Sequence, residues 1–142
     1  MSLLDKVLYH TEVENDAGLP GVSYVGNQEG MSLGVSSPLK PDAGTNPEQL
    51  VGLALATCLN ATLQALEKRE GLEHKSKVRV GINMMHDTHG YQFKLDAQVL
   101  IPDQTPENAQ RMLDIAETRC PVAKLLHGSE NVNVHIVDEF KF

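Results

Sequence analysis

The 142-residue chain has only two cysteines, Cys58 and Cys120. That is too few for the disulfide framework of a small secreted scaffold. Basic residues are scarce as well: 12 Lys and Arg stand against 19 Asp and Glu, a formal net charge of −7 at pH 7. With no basic surplus to release counterions, binding to DNA or RNA is disfavoured, and Lys75-Ser76-Lys77 is too short to make a patch. No segment approaches 18 unbroken apolar residues, so no membrane span is expected. The N-terminus, Met-Ser-Leu-Leu-Asp, lacks the basic-then-apolar layout of a secretion signal, which makes a cytoplasmic location the expectation. Neither Cys-x-x-Cys nor His-Glu-x-x-His spacing occurs. The nearest approaches to a metal pattern are His86-x-x-His89 and the seven-residue interval from Cys120 to His127, so no metal site is expected. Gly26 and Gly30 lie between short apolar runs with no helix after them, which argues against a nucleotide loop.

What remains is an ordinary soluble composition, 41 % apolar and 22 % charged. The length predicts one domain over residues 1–142 with a sizeable core. Partial alternation of Val7, Tyr9, Thr11 and Val13 predicts a strand within Leu3–Glu14. Val22–Val25 and Met31–Val35 predict two more, completing a small N-terminal meander before a Pro/Gly/Ser-rich loop over Ser36–Thr45. The clearest helix runs from Pro47 to about Arg69. Asn46 suits its N-cap, Pro47 its first position and Gln49 a capping box. Between Leu50 and Leu66 its polar residues are few and small, so it is expected to be central and covered on most sides, by sheet and by a second subunit. Strands follow around Val78–Ile82 and Tyr91–Val99, turning at Thr88-His89-Gly90. A helix is predicted over Pro106–Arg119 with Thr105 as cap, then a short turn through Leu126 and a last strand holding Val132, Val134, Ile136 and Phe140. This order indicates an α+β unit rather than a doubly wound sheet.

Free cysteine is among the most buried residue types, and Cys58, flanked by Ala56, Thr57 and Leu59, suits a plain core role. Two features favour chemistry. Cys120-Pro121 falls at a helix junction, where free backbone N–H groups stabilise a thiolate. Both cysteine-bearing helices are apolar and are expected to meet in one core, bringing the sulfurs within range of a disulfide if the Cα atoms approach below about 7 Å. A Cys/His/acid hydrolase has no local motif to support it.

At these residues the chain resembles the OsmC/Ohr family of osmotically inducible and organic hydroperoxide resistance proteins, nearer the latter branch. Gly44-Thr45-Asn46-Pro47-Glu48-Gln49-Leu50, followed by Ala54-x-Ala56-Thr57-Cys58, is similar to the segment around the family's peroxidatic cysteine. Cys120-Pro121-Val122-Ala123-Lys124 is similar to that around its resolving cysteine. The resemblance spans almost the whole chain. It implies an OsmC-like fold of antiparallel sheets packed on a long central helix, working as an intertwined homodimer. It implies thiol peroxidation of organic hydroperoxides, with Cys58 as nucleophile, Cys120 as resolver and Glu48 orienting an active-site arginine. No prosthetic cofactor is implied; an external dithiol, small or lipoylated, would reduce the Cys58–Cys120 disulfide. An apolar pocket would favour alkyl over hydrogen peroxides by about 0.8 kcal/mol per buried methylene.

One departure is sharp. The peroxidase branches supply their arginine from the N-terminal half, whereas here no arginine precedes Arg69 and the Asn15–Gly21 loop has no basic residue. Lys40 offers a point charge, not a fork that grips thiolate and carboxylate together. Arg69, Arg79, Arg111 and Arg119 remain, as surface residues or as donors to a partner subunit. Glu48 and Cys58 are also ten residues apart, about 15 Å along an unbroken helix. The alternative reading is thus an OsmC-like dimer with weak or no peroxidase activity that binds a small apolar ligand or serves a stress response.

Overall fold

The computed structural model describes residues 6–26 and 30–141. The protein is α+β, with two three-stranded sheets and one long helix, distributed over two compact units, Met1–Pro47 and Glu48–Phe142.

In the first unit, β1 (Val13–Asn15), β2 (Gly21–Val25) and β3 (Ser32–Val35) form the expected antiparallel meander. The first strand is shorter than its alternation predicts. Val13 pairs with Val25, and Gly26 then turns away at φ 68°, so the described residues upstream of Glu12, 6–11, find no neighbour in β2. Val7, Leu8 and Tyr9 are exposed, and the Leu3–Asp5 part of the expected strand lies outside the described residues. Tyr24 is buried; its hydroxyl donates to the Glu14 carboxylate and lies 3.1 Å from Asp16 Oδ2. After β3 the loop returns to touch it. Gly44, at φ 107°, sits so close that a Cβ would fall 2.1 Å from Gly34 O, which only glycine avoids. This approach lets Thr45 N–H donate to Gly34 O at 2.8 Å, and Ser36 N–H to Thr45 O at 2.9 Å.

The second unit carries most of the long helix α1 (Pro47–Arg69), whose bounds match the sequence expectation. Leu55, Leu59, Leu63 and Leu66 recur at helical spacing and are buried, the first three completely. They pack on the face of the hairpin β4 (Lys77–Asp87) and β5 (Gly90–Leu100) that presents Val80, Leu95, Ala97 and Val99. Gly52 marks the tightest crossing, since a Cβ there would meet Ile82 Cδ1 at 2.6 Å. The expectation that α1 is covered on most sides is met only along this stripe within one chain. Leu53 is 62 % exposed, and Ala54, Ala61 and Ala65 are exposed beside it. By length and composition α1 would even pass as a membrane span, with mean hydropathy 1.4 over 18 residues, although no unbroken apolar run reaches that length.

The stripe ends on a carboxylate. Glu67 is buried, with His74 Nδ1 2.8 Å from its Oε1 and the Lys75 and Ser76 N–H groups donating to Oε2 at 3.1 and 3.2 Å. Ser76 Oγ lies 2.8 Å from both Glu67 Oε1 and Asn60 Oδ1. Burial alone would raise this carboxyl's pKa; the His74, Lys75 and Ser76 hydrogen bonds outweigh it and hold the group below its ordinary value.

Helix α2 (Pro106–Arg119) is capped by Thr105, whose Oγ1 accepts Asn108 N–H at 3.1 Å, and buries Ala109, Met112, Leu113 and Ala116, as read from the sequence. Where a turn was expected next, a short helix α3 (Pro121–Leu126) forms. β6 (Val132–Ile136) then joins β5. Among the described strands the other pairs are antiparallel; this pair is parallel, because α2 and α3 carry the chain back across the sheet before it re-enters. Phe140, expected in the last strand, lies beyond it. There the Arg79 guanidinium sits 4.5 Å above its ring, and Gln98 clamps Lys141 through its N–H (2.7 Å) and carbonyl (2.6 Å).

Candidate active site

Cys58 projects from the middle of α1, half-buried on the flank of the leucine stripe. Thr62, one turn on, donates its hydroxyl to Cys58 O at 2.9 Å. Cys120 is wholly buried and ends one helix while starting the next. Its N–H donates to Ala116 O at 2.8 Å, closing α2, and its Sγ accepts Ala123 N–H at 3.4 Å, opening α3. Pro121 suits this junction, being pre-set for a first helical position. The two thiols are free, and Cys58 packs against the cluster of Leu59, Met112, Leu113, Ala116 and Cys120, near enough to act on the Cys120 thiol.

Their environments differ. Burial pushes the Cys120 thiol up. The Ala123 and Val122 N–H groups pull it down, as the helix junction led us to expect, but the hydrogen bond and charge of Cys58 push upward again and the net direction is up. Cys120 therefore sits as a protonated thiol beside a more accessible sulfur.

Glu48 is not brought to this pair. It is half-buried in the first turn of α1, and the helix continues unbroken to Cys58, about 15 Å further along the axis. The arginines are placed elsewhere too. Arg111 makes a two-pronged pair with Glu70 at 2.7 and 3.0 Å, and Arg79 lies on Phe140. Arg69 and Arg119 are exposed, and none of the four is among the groups acting on the Cys120 thiol. The Asn15–Gly21 loop closes on itself instead: Gly18 N–H donates to Asn15 Oδ1 at 2.8 Å and Asn15 Nδ2 to Gly18 O at 3.3 Å. Lys40 is exposed in a tight turn, its N–H donating to Ser37 O at 3.1 Å. His86 and His89 belong to the β4–β5 hairpin, His86 stacked on Tyr91 with ring centroids 4.9 Å apart.

Sequence reasoning passed over Glu117. It lines two cavities of about 440 and 260 Å3 that flank α3, together with Ala123 and His127. Burial and then Asp114 raise its pKa, while His127 opposes them. The signal was its place one helical turn before Cys120, on the edge of an otherwise legible amphipathic helix.

A buried free thiol and a half-buried one on the same apolar cluster, between helices and a sheet, define a two-cysteine α+β protein. Residues 40–135 match the family of OsmC-like proteins, and the chain belongs to that family. It is 28 % identical over 95 residues to the organic hydroperoxide resistance protein OhrB of Bacillus subtilis (strain 168), covering 66 % of this chain and 70 % of that one. It is 28 % identical over 140 residues to an organic hydroperoxide resistance protein-like protein of Staphylococcus aureus (strain MSSA476), covering 92 % and 97 %. Among solved structures, a candidate redox protein of Lactobacillus casei ATCC 334 superposes with TM-score 0.89 at 41 % identity, covering 97 % of this chain and 96 % of that one. The crystal structure of OhrB of Bacillus subtilis superposes at 0.81 with 24 % identity, covering 92 % and 100 %, and shows the shared fold alone.

Proposed function

We propose that the protein is a thiol peroxidase reducing organic hydroperoxides to alcohols, as a single OsmC/Ohr-like domain in the cytoplasm. The observation that carries this reading is the adjacency of Cys58 and Cys120 with unequal exposure. Cys58 thiolate attacks the distal oxygen of ROOH; the O–O bond breaks, ROH leaves with a proton, and Cys58 becomes a sulfenic acid. Cys120 thiol then attacks the Cys58 sulfur, forming the S–S bond and releasing water. An external dithiol, lipoylated or small, supplies two electrons and two protons to restore both thiols. Kinship with organic hydroperoxide resistance proteins supports the substrate class.

Glu48 enters this reading only through a second copy. The outward face of α1, with Leu53 and the small residues Ala54, Ala61 and Ala65, suits a homodimer contact, and a partner could supply the carboxylate and cation that one chain keeps from Cys58. A second reading has its own observation: Arg111 and Arg79 are occupied with Glu70 and Phe140. It holds that the fold persists with weak peroxidase activity and an apolar ligand in place of the peroxide.

Cumene hydroperoxide added to the reduced protein decides between them. Loss of one peroxide and both thiols, with one alcohol formed, is the expected result; thiols that stay intact would overturn the peroxidase reading in favour of the second.

A further inference from the structure

The two cavities beside α3 differ in chemistry, and Glu117 stands where they meet. We propose that together they bind a free α-amino acid with an apolar side chain, its ammonium on Glu117, its carboxylate toward Lys124 and its side chain in the smaller cavity. Neither cysteine lines this space, so the site is separate from the thiol pair and needs no peroxide chemistry.

Glu117, Ala123 and His127 line both cavities. The smaller, about 260 Å3, reaches Leu55, Leu126, Val132 and Val134, side chains of the apolar cluster under α3. A dry space of about 150 Å3 already admits a benzene-sized group. The larger, about 440 Å3, adds Lys124, Asp114 and Thr118 instead. A carboxylate thus stands at the boundary, with a cation on one side and an apolar wall on the other. An α-amino acid carries its groups in the same order, since the carbon bearing the ammonium holds the carboxylate on one side and the side chain on the other.

The polar groups this ligand would use are free. Glu117 is half-buried, and among the described residues its carboxylate makes no hydrogen bond or ion pair; nor does the Lys124 ammonium. The other polar side chains of the larger cavity's α2 wall are engaged: Gln110 Nε2 donates to Asp114 Oδ1 at 2.8 Å, and Thr118 Oγ1 to Ile115 O at 2.7 Å. Lys124 is not among the groups acting on Glu117, so the two charges stand apart with the cavity between them. Burial and then Asp114 disfavour charge on Glu117 by more than His127 favours it, and a ligand ammonium supplies the stabilisation that the chain withholds. A simple amine would leave Lys124 unmatched, and a simple acid would set a second anion against Glu117. A few convergent polar groups over an apolar floor are the usual composition of a small-molecule site.

The test titrates the full-length reduced protein with four probes and follows backbone amide shifts by NMR. The probes are L-phenylalanine, phenylethylamine (which lacks the carboxylate), phenylpropanoate (which lacks the ammonium) and glycine (which lacks the apolar side chain). L-Phenylalanine should shift the Ala123 and His127 amides saturably and bind about tenfold tighter than each of the other three. Glu117→Gln should weaken L-phenylalanine and phenylethylamine about tenfold and leave phenylpropanoate no weaker. Lys124→Gln should weaken L-phenylalanine and phenylpropanoate and spare phenylethylamine. The comparison of probes on the wild type needs no variant, so it decides the matter even if a substitution folds poorly. The proposal is overturned by an absence of saturable shifts at these amides up to about 10 mM L-phenylalanine. Equal affinity for all four probes overturns it too, as does a uniform loss for every probe in a folded Glu117→Gln protein.

Discussion

Cys58 packs on the apolar cluster that holds Cys120, yet only Cys58 retains a path to solvent; Cys120 has none, and the neighbouring sulfur helps keep it protonated. The pair is thus ordered before any reagent arrives. The accessible sulfur meets it, and the hidden one answers second.

Alkylation should reveal that order. With limiting iodoacetamide on the native reduced protein, Cys58 should be modified about tenfold faster than Cys120, and unfolding should erase the difference. Peptide mass spectrometry reads the ratio; equal rates in the folded state would contradict the assigned roles.

Cys120→Ser should separate the two halves of the cycle. Serine keeps a group able to accept Ala123 N–H, so the fold should survive within about 1–2 kcal/mol. One equivalent of hydroperoxide should then leave a Cys58 sulfenic acid trappable by dimedone and no intramolecular disulfide. Absence of the dimedone adduct, with the protein folded, counts against Cys58 as the attacking sulfur.

The helical part of this site was legible in the sequence because its local signals agree. Pro47 and Thr105 mark helix starts, leucine spacing gives the buried stripe, and Cys120-Pro121 marks a junction. Three things were not legible, each because its cause is non-local. Among the described residues, 6–12 of the strand expected over Leu3–Glu14 needed a partner that β2 is too short to provide. The parallel pairing of β6 depends on the α2–α3 crossover, and alternation is the same in either direction. Four apolar residues on the outer face of α1 read like core, although within one chain nothing in the leucine stripe requires them.

That outer face predicts association. If it is a subunit contact, Leu53→Glu should convert a dimer to monomer in sedimentation equilibrium without loss of helix content. A monomeric wild type at working concentration would remove the second copy from the account of Glu48.

Glu67 should make stability depend on acid. Its folded pKa is depressed, so its contribution is complete above the ordinary carboxyl range near 4.5 and is lost as pH falls through the lower folded value. Glu67→Ala strands the Ser76 and Lys75 N–H groups and should cost about 2–3 kcal/mol at pH 7 by urea denaturation. Glu67→Gln should flatten the stability profile as pH falls below the ordinary carboxyl value near 4.5; a profile as steep as wild type would assign the acid sensitivity to other carboxylates.

Leu59→Ala tests the layer on which both sulfurs rest. Leu59 has no exposure and belongs to the cluster holding Cys120. Its truncation should cost about 2–5 kcal/mol, and a loss below about 1 kcal/mol would mean that the core there collapses readily around the space.

The parallel entry of β6 has a consequence in time. The β4–β5 hairpin closes through a two-residue turn and can form early, whereas β6 must wait until α2 and α3 have crossed the sheet. Val134 and Ile136 of that late strand pack on the cluster that contains Cys120. A newly made chain therefore passes through an interval with both sulfurs synthesised and neither yet matched to the other. Oxidant met during that interval should yield mixed disulfides and overoxidised Cys58, because Cys120 is not yet held in place to resolve the sulfenic acid.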